Sequence, residues 1–439
     1  MGKQLFGTDG IRGLAGEYPL DEATVFSAGQ ALGELAAGQS SQLQVLIGMD
    51  TRESGPRLAQ LLAGGLDRAG VPARFAGVIT TPGIAYLTQH GPFLAGVMIS
   101  ASHNGYRDNG IKVFAHSGFK LPDLQEERIE QRIAELSGGA APYSRELRED
   151  PALADLYLDH LAACLAAPPP GLRAVVDCAN GSASRIAPRL FQRLGVEAEI
   201  MGDQPNGRNI NLDCGSLHLD RLRLRVLEAG AGLGIAFDGD ADRALFVSAG
   251  GREINGDAVL WMAARHLGLP VVVTTTMANL GLEKALAEKG VEVVRTDVGD
   301  KYVLEEMLRR DAELGGEQSG HIIFRRQATT GDGLLTALKV LEILSATGRT
   351  VDELTADLPV YPQTLRNVPV RARVPFAEVP AVEAGIEACR QALAGRGRVI
   401  VRYSGTELLA RVMVEAENPD NVQRHGDRLE GLIREHLGA

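Results

Sequence analysis

The sequence predicts an α/β protein with three similar α/β domains, each a mixed sheet covered by helices, followed by a smaller C-terminal α+β domain. Three observations carry this. Three segments share one strand–helix–strand plan, their first strands are continuous β-branched runs, and the tail alone reads as strand, short turn, strand and helix. At 439 residues, 45% hydrophobic and 23% charged, the chain has ample material for several cores.

The first such segment runs "LQVLIGMD", "TRESGPRLAQLLAGGLDRAG", "VPARFAGV". The second runs "LRAVVDCA", "NGSASRIAPRLFQRLG", "VEAEIMG", and the third "PVVVTTTM", "ANLGLEKALAEKG", "VEVVRT". An uninterrupted apolar strand is expected where helices cover both faces of a sheet. The helices show apolar spacing of three and four, as in Leu58, Leu61, Leu62 and Leu66. Gly70, Gly195 and Gly290 stand where a left-handed residue ends a helix, and a Val then opens the next strand. In the tail, "RVIVRY" and "LARVMVEA" flank "SGTEL", and Asn418 and Pro419 suit the cap and first turn of a final helix. Turn-rich stretches near 140, 251 and 361 suggest domains at 1–150, 151–251, 252–361 and 362–439.

Composition excludes several classes. A net charge of −11 with no basic run or patch speaks against a nucleic-acid surface. The scattered Cys164, Cys178, Cys214 and Cys389 have neither CxxC nor zinc spacing, so buried free thiols are expected. The opening "MGKQLFGTDGIRG" lacks a signal-peptide core, and no apolar run reaches membrane-spanning length, so a cytoplasmic protein without a membrane partner is expected.

Four polar constellations fall one to a domain. The first is Ser102, His103 and Asn104 with Lys112, placed where an apolar strand breaks into a loop; these are either turn formers or a catalytic serine at a cleft. The second, "FDGDADR", sets Asp238, Asp240 and Asp242 at alternate positions, so that in an extended segment their carboxylates share one side and repel unless a cation is bound. All-oxygen ligation favours magnesium. The third, "GGEQSGH", offers Glu317, Ser319 and His321 on a glycine-rich connection, either an ordinary polar loop or a site for vicinal sugar hydroxyls. The fourth, "RYSGTE", places Arg402, Ser404, Gly405 and Thr406 on a short turn with Arg411 beyond it, either a plain hairpin or a phosphate-binding nest.

With these motifs in this order along the whole chain, the sequence resembles the α-D-phosphohexomutase superfamily. Through "LFGTDGIRG", "NGRNINLDCGS", "TTTMANLGLEKAL", "VGDKYVLEEM" and "GGEQSGHII", with Gln318 where relatives acting on mannose or glucose phosphates more often carry Met, it is similar to the bacterial phosphoglucosamine mutases. The resemblance implies a phosphoserine at Ser102, which with Asp238, Asp240 and Asp242 holds Mg2+. Arg12, His103, Lys112 and Arg243 would surround the transferring phosphoryl group. Glu317, Ser319 and His321 would meet the sugar, and Arg402, Ser404, Gly405, Thr406 and Arg411 its second phosphate. The implied reaction interconverts glucosamine 6-phosphate and glucosamine 1-phosphate through glucosamine 1,6-bisphosphate, supplying amino-sugar nucleotides and cell-wall precursors. A homodimer is a family expectation.

Three readings compete: a phosphomannomutase or phosphoglucomutase of the same superfamily, a phosphatase with an aspartyl nucleophile, and a non-catalytic sugar-phosphate sensor. Asp242 stands where such a phosphatase normally has Thr or Val, and a sensor would be expected to have lost Ser102, Lys112 or an Asp. Gly105, Tyr403 and Leu408 replace prolines usual in the superfamily, so the loops they flank are expected to be less preorganised.

Overall fold

The computed structural model describes residues 5–7, 9–37, 44–136, 138, 141–404 and 408–439. It divides into two compact units, Met1–Met277 with Val291–Ala356, and Ala278–Gly290 with Asp357–Ala439.

In the first unit, the chain opens with β1 (Phe6–Gly7), β2 (Gly10–Leu14), α1 (Glu22–Ala37), β3 (Gln44–Met49), α2 (Gly55–Arg68), β4 (Ala73–Val78), α3 (Thr81–His90), β5 (Phe93–Ile99), β6 (Asp108–Ala115) and α4 (Asp123–Leu136). The sheet order is β1-β2-β6-β5-β3-β4. β3 runs parallel to β4 and β5, whereas β6 is antiparallel to β5, so the sheet is mixed. All of β5 is buried, as its unbroken apolar sequence requires. Leu58, Leu61, Leu62 and Leu66 of α2 are buried in one core with Val45 and Ile47 of β3. Beyond that helix Gly70 has φ +74°, the left-handed residue that the spacing predicts.

A second sheet follows from α5 (Pro151–Ala163), β7 (Arg173–Asp177), α6 (Ala183–Arg193), β8 (Glu197–Met201), α7 (Asp220–Ala229), β9 (Leu233–Phe237), β10 (Ala244–Ser248) and β11 (Glu253–Ile254), in the order β11-β10-β9-β7-β8. The third comprises α8 (Gly256–Leu267), β12 (Val271–Thr275), α9 (Leu280–Glu288), β13 (Glu292–Thr296), α10 (Asp300–Arg310), β14 (Leu314–Gly316), β15 (Ile322–Phe324), α11 (Gly333–Thr347) and α12 (Val351–Leu354). Its strand order is β13-β12-β14-β15, with β12 parallel to both β13 and β14. In each of the three sheets, the strand pair joined by the expected helix is parallel.

The second unit holds β16 (Gln363–Pro369), α13 (Pro380–Leu393), β17 (Gly397–Tyr403), β18 (Leu409–Ala416) and α14 (Pro419–Leu437). Its antiparallel sheet has the order β16-β18-β17. Asn418 caps α14 by accepting the Asp420 N–H at 2.8 Å, and Pro419 occupies the first turn. A cap of this kind contributes about 1 kcal/mol. Although α9 links two strands of the third sheet, it packs in this second unit. Buried Glu415 accepts the Leu280 N–H at 3.1 Å, and Asn279 Nδ2 donates to the Tyr361 carbonyl at 3.0 Å. Among the described residues, no helix is long and apolar enough to cross a membrane.

Candidate active site

Four segments of the first unit converge on Ser102. β5 delivers the serine at its C-terminal end, and the backbone there turns left-handed, with φ +50°. An L-residue accepts that conformation only when its surroundings enforce it. Here the Ser102 N–H donates to Ser100 Oγ at 2.9 Å, and Ser100 Oγ donates to Asp50 Oδ2 at 2.6 Å. The result aims Ser102 Oγ at Asp238 Oδ2, 2.6 Å away. His103 Nδ1 lies 3.4 Å from the same hydroxyl.

Asp238, Asp240 and Asp242 bring one oxygen each within 4.8 Å of one another. The cause differs from the expected strand alternation. β9 ends at Phe237 and β10 begins only at Ala244, so the carboxylates sit on a tight turn in which Ala241 has φ +56°. The turn, rather than a pleat, gathers them. Their outer oxygens are committed: Asp240 Oδ2 accepts from Thr81 Oγ1 at 2.5 Å and Lys112 Nζ at 2.8 Å, and Asp242 Oδ2 faces Lys112 Nζ at 3.4 Å and His321 Nδ1 at 3.7 Å. Asp240 Oδ1 and Asp242 Oδ1 are buried with no hydrogen-bond partner among the described residues. Unsatisfied buried carboxylate oxygens are costly, and a divalent cation held among the three carboxylates would satisfy them.

Electrostatics divides the roles. Burial works against charge on Asp242, but Lys112, His321 and Arg243 overcome it and hold the carboxyl well below its usual range. Burial, with repulsion from Asp242 and Asp240, drives Asp238 well above that range. For Lys112, burial opposes the ammonium but Asp240, Asp9 and Asp242 more than offset it, so its pKa stands well above normal. His103 is pushed down to about 4, first by burial and then by the Arg243 and Arg12 guanidinium groups, which leaves an uncharged imidazole at neutral pH.

The loop with Glu317, Ser319 and His321 joins β14 to β15. It is folded by the Glu317 N–H donating to the His321 carbonyl at 2.9 Å, and it reaches the aspartate turn where the Ala244 N–H donates to the Gly320 carbonyl at 3.1 Å. His321 Nε2 accepts the Gly331 N–H at 3.0 Å, which puts the ring proton on Nδ1, toward Asp242. Glu317 lies near enough to help hold Arg243 charged, and Ser319 Oγ and Arg12 Nε are further buried atoms without hydrogen-bond partners among the described residues, while Arg243 Nε lies 3.8 Å from Asp242 Oδ1. Gln318 turns elsewhere, donating to Asp257 Oδ2 at 3.3 Å.

In the second unit, Arg402 and Arg411 are direct cross-strand partners on β17 and β18. Like charges so placed repel, and burial followed by Arg411 lowers the Arg402 pKa. A bound anion would relieve that. The Ser404 N–H donates to the Leu409 carbonyl at 2.8 Å, while Gly405 and Thr406 lie outside the described residues. Tyr403 is anchored by stacking on Phe376 and by its hydroxyl donating to the Val374 carbonyl at 2.5 Å.

Sequence reading missed several residues around Ser102. Asp9 pairs with Lys112 at 2.9 Å and also with Lys120 and Arg12. Thr81, the first residue of α3, gives its N–H to the Asp240 carbonyl at 3.0 Å as well as its hydroxyl to the side chain. The "TTP" before α3 signals a helix start, but not what that start faces.

Three α/β layers that bring a serine, a carboxylate trio and several cations together suit phosphoryl transfer, and the comparisons with known proteins agree. The phosphoglucomutase/phosphomannomutase alpha/beta/alpha domains I, II and III match residues 3–138, 155–251 and 255–361, and the C-terminal domain matches 365–431. Fold and site thus define the class, a phosphohexomutase. A phosphoglucosamine mutase of Solibacter usitatus is 54% identical over 445 residues, covering 100% of both chains. The chain belongs to the phosphoglucomutase/phosphomannomutase family, in its phosphoglucosamine mutase branch. A solved phosphoglucomutase/phosphomannomutase family protein from Burkholderia thailandensis superposes with a TM-score of 0.81 at 25% identity, covering 99% of this chain and 98% of that one. An Aspergillus fumigatus N-acetylphosphoglucosamine mutase, solved with GlcNAc-6P and magnesium, shares the fold at TM-score 0.64 and 19% identity, over 99% of this chain and 96% of that one.

Proposed function

We propose that this enzyme interconverts glucosamine 6-phosphate and glucosamine 1-phosphate, using Ser102 as the phosphoryl carrier. The observation that carries the reading is Ser102 Oγ at 2.6 Å from Asp238 Oδ2, beside Asp240 and Asp242 oxygens that are buried and without a hydrogen-bond partner among the described residues. Asp238, Asp240, Asp242 and a Ser102 phosphate oxygen would hold magnesium, whose chemistry is to neutralise charge on the transferring phosphoryl group. Lys112, Arg12 and Arg243 add fixed positive charge, since positioning and electrostatics carry most of such catalysis.

In the first half-reaction, the bond from Ser102 Oγ to phosphorus breaks as the free sugar hydroxyl oxygen bonds to phosphorus. The hydroxyl proton passes to His103, which is uncharged, and from it to the departing Ser102 Oγ, 3.4 Å from His103 Nδ1, whereas Lys112 is held as an ammonium and is suited to charge stabilisation instead. Glucosamine 1,6-bisphosphate results. It turns end for end, and its other phosphoryl group returns to Ser102 by the reverse step. Glu317, Ser319 and His321 are assigned to the sugar, an assignment that the unpartnered Ser319 hydroxyl supports. Arg402, Ser404, Gly405, Thr406 and Arg411 are assigned to the phosphate that does not react, supported by the facing arginines. The turn of Gln318 toward Asp257 means that it would act on sugar choice indirectly, by shaping this loop.

This reading keeps the four domains at 1–150, 151–251, 252–361 and 362–439, a cytoplasmic location and a homodimer. Replacing Ser102 with Ala is expected to abolish interconversion in the presence of magnesium and bisphosphate, and the parent enzyme should carry one phosphate on its Ser102 peptide by mass measurement. Undiminished turnover in Ser102→Ala would refute the assignment.

A further inference from the structure

Arg52 is buried to 1% exposure and uses all five of its N–H groups. Nε donates to Asp50 Oδ2 at 2.9 Å, Nη1 to the carbonyls of Gly105 and of Asp108 (3.0 Å), and Nη2 to the carbonyls of Ser102 (2.9 Å) and Asn104 (3.0 Å). Asn211, from the loop between β8 and α7, reaches the same point from another layer. Its Nδ2 donates to the Ser102 carbonyl at 2.9 Å and the Asn104 carbonyl at 3.0 Å. Asn211 is itself left-handed at φ +58°, a conformation that Asn tolerates better than other side-chain-bearing residues.

We propose that Arg52 and Asn211 are positioning residues, a two-sided clamp on the backbone carbonyls of the serine loop that fixes Ser102 Oγ for in-line transfer. The inference rests on the reading of Ser102 as the phosphoryl carrier. Three features separate the clamp from ordinary packing. Both side chains grip the Ser102 and Asn104 carbonyls, and Arg52 also holds those of Gly105 and Asp108, so the hold of Asn211 falls within that of Arg52. The loop held is the one in which Ser102 is left-handed and Gly105 leaves the backbone free to move, so rigidity that the chain itself lacks is supplied by hydrogen bonds. Asp50 closes the circuit, since Oδ2 accepts from both Arg52 and Ser100, and Ser100 Oγ accepts the Ser102 N–H. The serine is therefore held on its carbonyl side by the clamp and on its amide side by the Asp50–Ser100 pair.

Neither Arg52 nor Asn211 donates to Ser102 Oγ, so loosening them should disturb the chemical step more than binding. The test uses phosphorylated full-length enzyme, primed with a hexose bisphosphate and mixed with glucosamine 6-phosphate in a quench-flow instrument. Loss of phosphate from the Ser102 peptide is followed, together with steady-state kcat and KM. Asn211→Gly keeps the left-handed backbone and removes the amide. Arg52→Lys keeps a cation for Asp50 but replaces the five-donor fork with one ammonium. Each is expected to slow single-turnover transfer about 10–100-fold, the scale of a small misplacement of a reacting group. KM should stay within about threefold, as for an interaction that matters mainly in the transition state. The double variant should be no slower than the slower single one, because the two grips share their carbonyls.

Transfer rates within about twofold of the parent in folded Asn211→Gly would overturn the clamp, as would slowing confined to KM or full additivity in the double variant. If Arg52→Lys does not accumulate as folded protein, Asn211→Gly decides alone. Phosphate absent from Ser102 in the parent would sink the carrier reading and the clamp with it. Phosphate present on Ser102 with unaltered transfer in the variants sinks the clamp only.

Discussion

A Cβ added to Gly239, in the aspartate turn, would lie 2.5 Å from the Ser102 carbonyl oxygen and 2.8 Å from Asn211 Nδ2. Neither neighbour can give way without moving the serine, so Gly239→Ala is expected to lower kcat about tenfold or more with little change in KM, as steady-state kinetics would show. Gly105 presents the opposite case. Nothing lies within 4 Å of its added Cβ, and its φ is not left-handed. Gly105→Ala should therefore keep full activity and raise stability by about 0.5–1 kcal/mol, by restricting the unfolded chain, measurable as a shift in urea midpoint. Glycine at 239 is needed for close approach, whereas at 105 the Arg52 grip on the carbonyl does the restraining.

At the scale of elements, helix ends place much of the chemistry. The start of α3 gives Asp240 a backbone N–H and a hydroxyl from Thr81, and Asp332 caps α11 by accepting the Leu335 N–H at 2.9 Å and also accepts the Tyr157 hydroxyl at 2.8 Å. Burial raises the Asp332 pKa to about 6 despite these hydrogen bonds. A carboxyl that titrates higher in the folded than in the unfolded chain contributes stability in full below the unfolded value of 3.8 and loses it as pH rises through 6. That loss is about 3 kcal/mol. Asn can make the same cap, so Asp332→Asn should remove this fall from the profile of stability against pH between about 4 and 7, as urea titrations across that range would reveal. An unchanged slope would mean that Asp332 is not the group responsible.

For the molecule as a whole, the two units depend on different interactions. In the first, buried carboxylates repel one another, and a cation that binds only the folded state should stabilise it by mass action, about 2.7 kcal/mol at a concentration one hundred times Kd. Magnesium is therefore expected to raise the melting temperature of the parent, with chelator reversing the effect, and to leave Asp240→Asn nearly unmoved. In the second unit, Glu415 is fully buried, paired with Arg398 Nε at 2.5 Å and joined to the first N–H of α9. Glu415→Ala would take the carboxylate from half-buried Arg398 and the acceptor from the Leu280 N–H, and is expected to cost about 1–3 kcal/mol, read from urea unfolding.

Much was legible from the order of residues alone, because strands, helices and turns answer to local patterns. The β-branched runs, the spacing of three and four in α2, Gly70 ending that helix and Asn418 capping α14 all follow from short-range backbone and solvation physics. So did the chemical types at Ser102, Asp238, Asp240, Asp242 and Glu317, since acidic, hydroxyl and glycine-rich clusters mark themselves. What only the tertiary structure decided was every partnership across distance. Arg52 lies 50 residues before the Ser102 carbonyl it holds, Asn211 lies 109 after it, and Thr81 precedes Asp240 by 159. The turn that gathers the aspartates, the side to which Gln318 points and the packing of α9 beside Glu415 were likewise settled by burial and by the demand that each buried polar group find a partner. Sequence proximity does not encode that demand, because it is met wherever the folded chain happens to bring a donor to an acceptor.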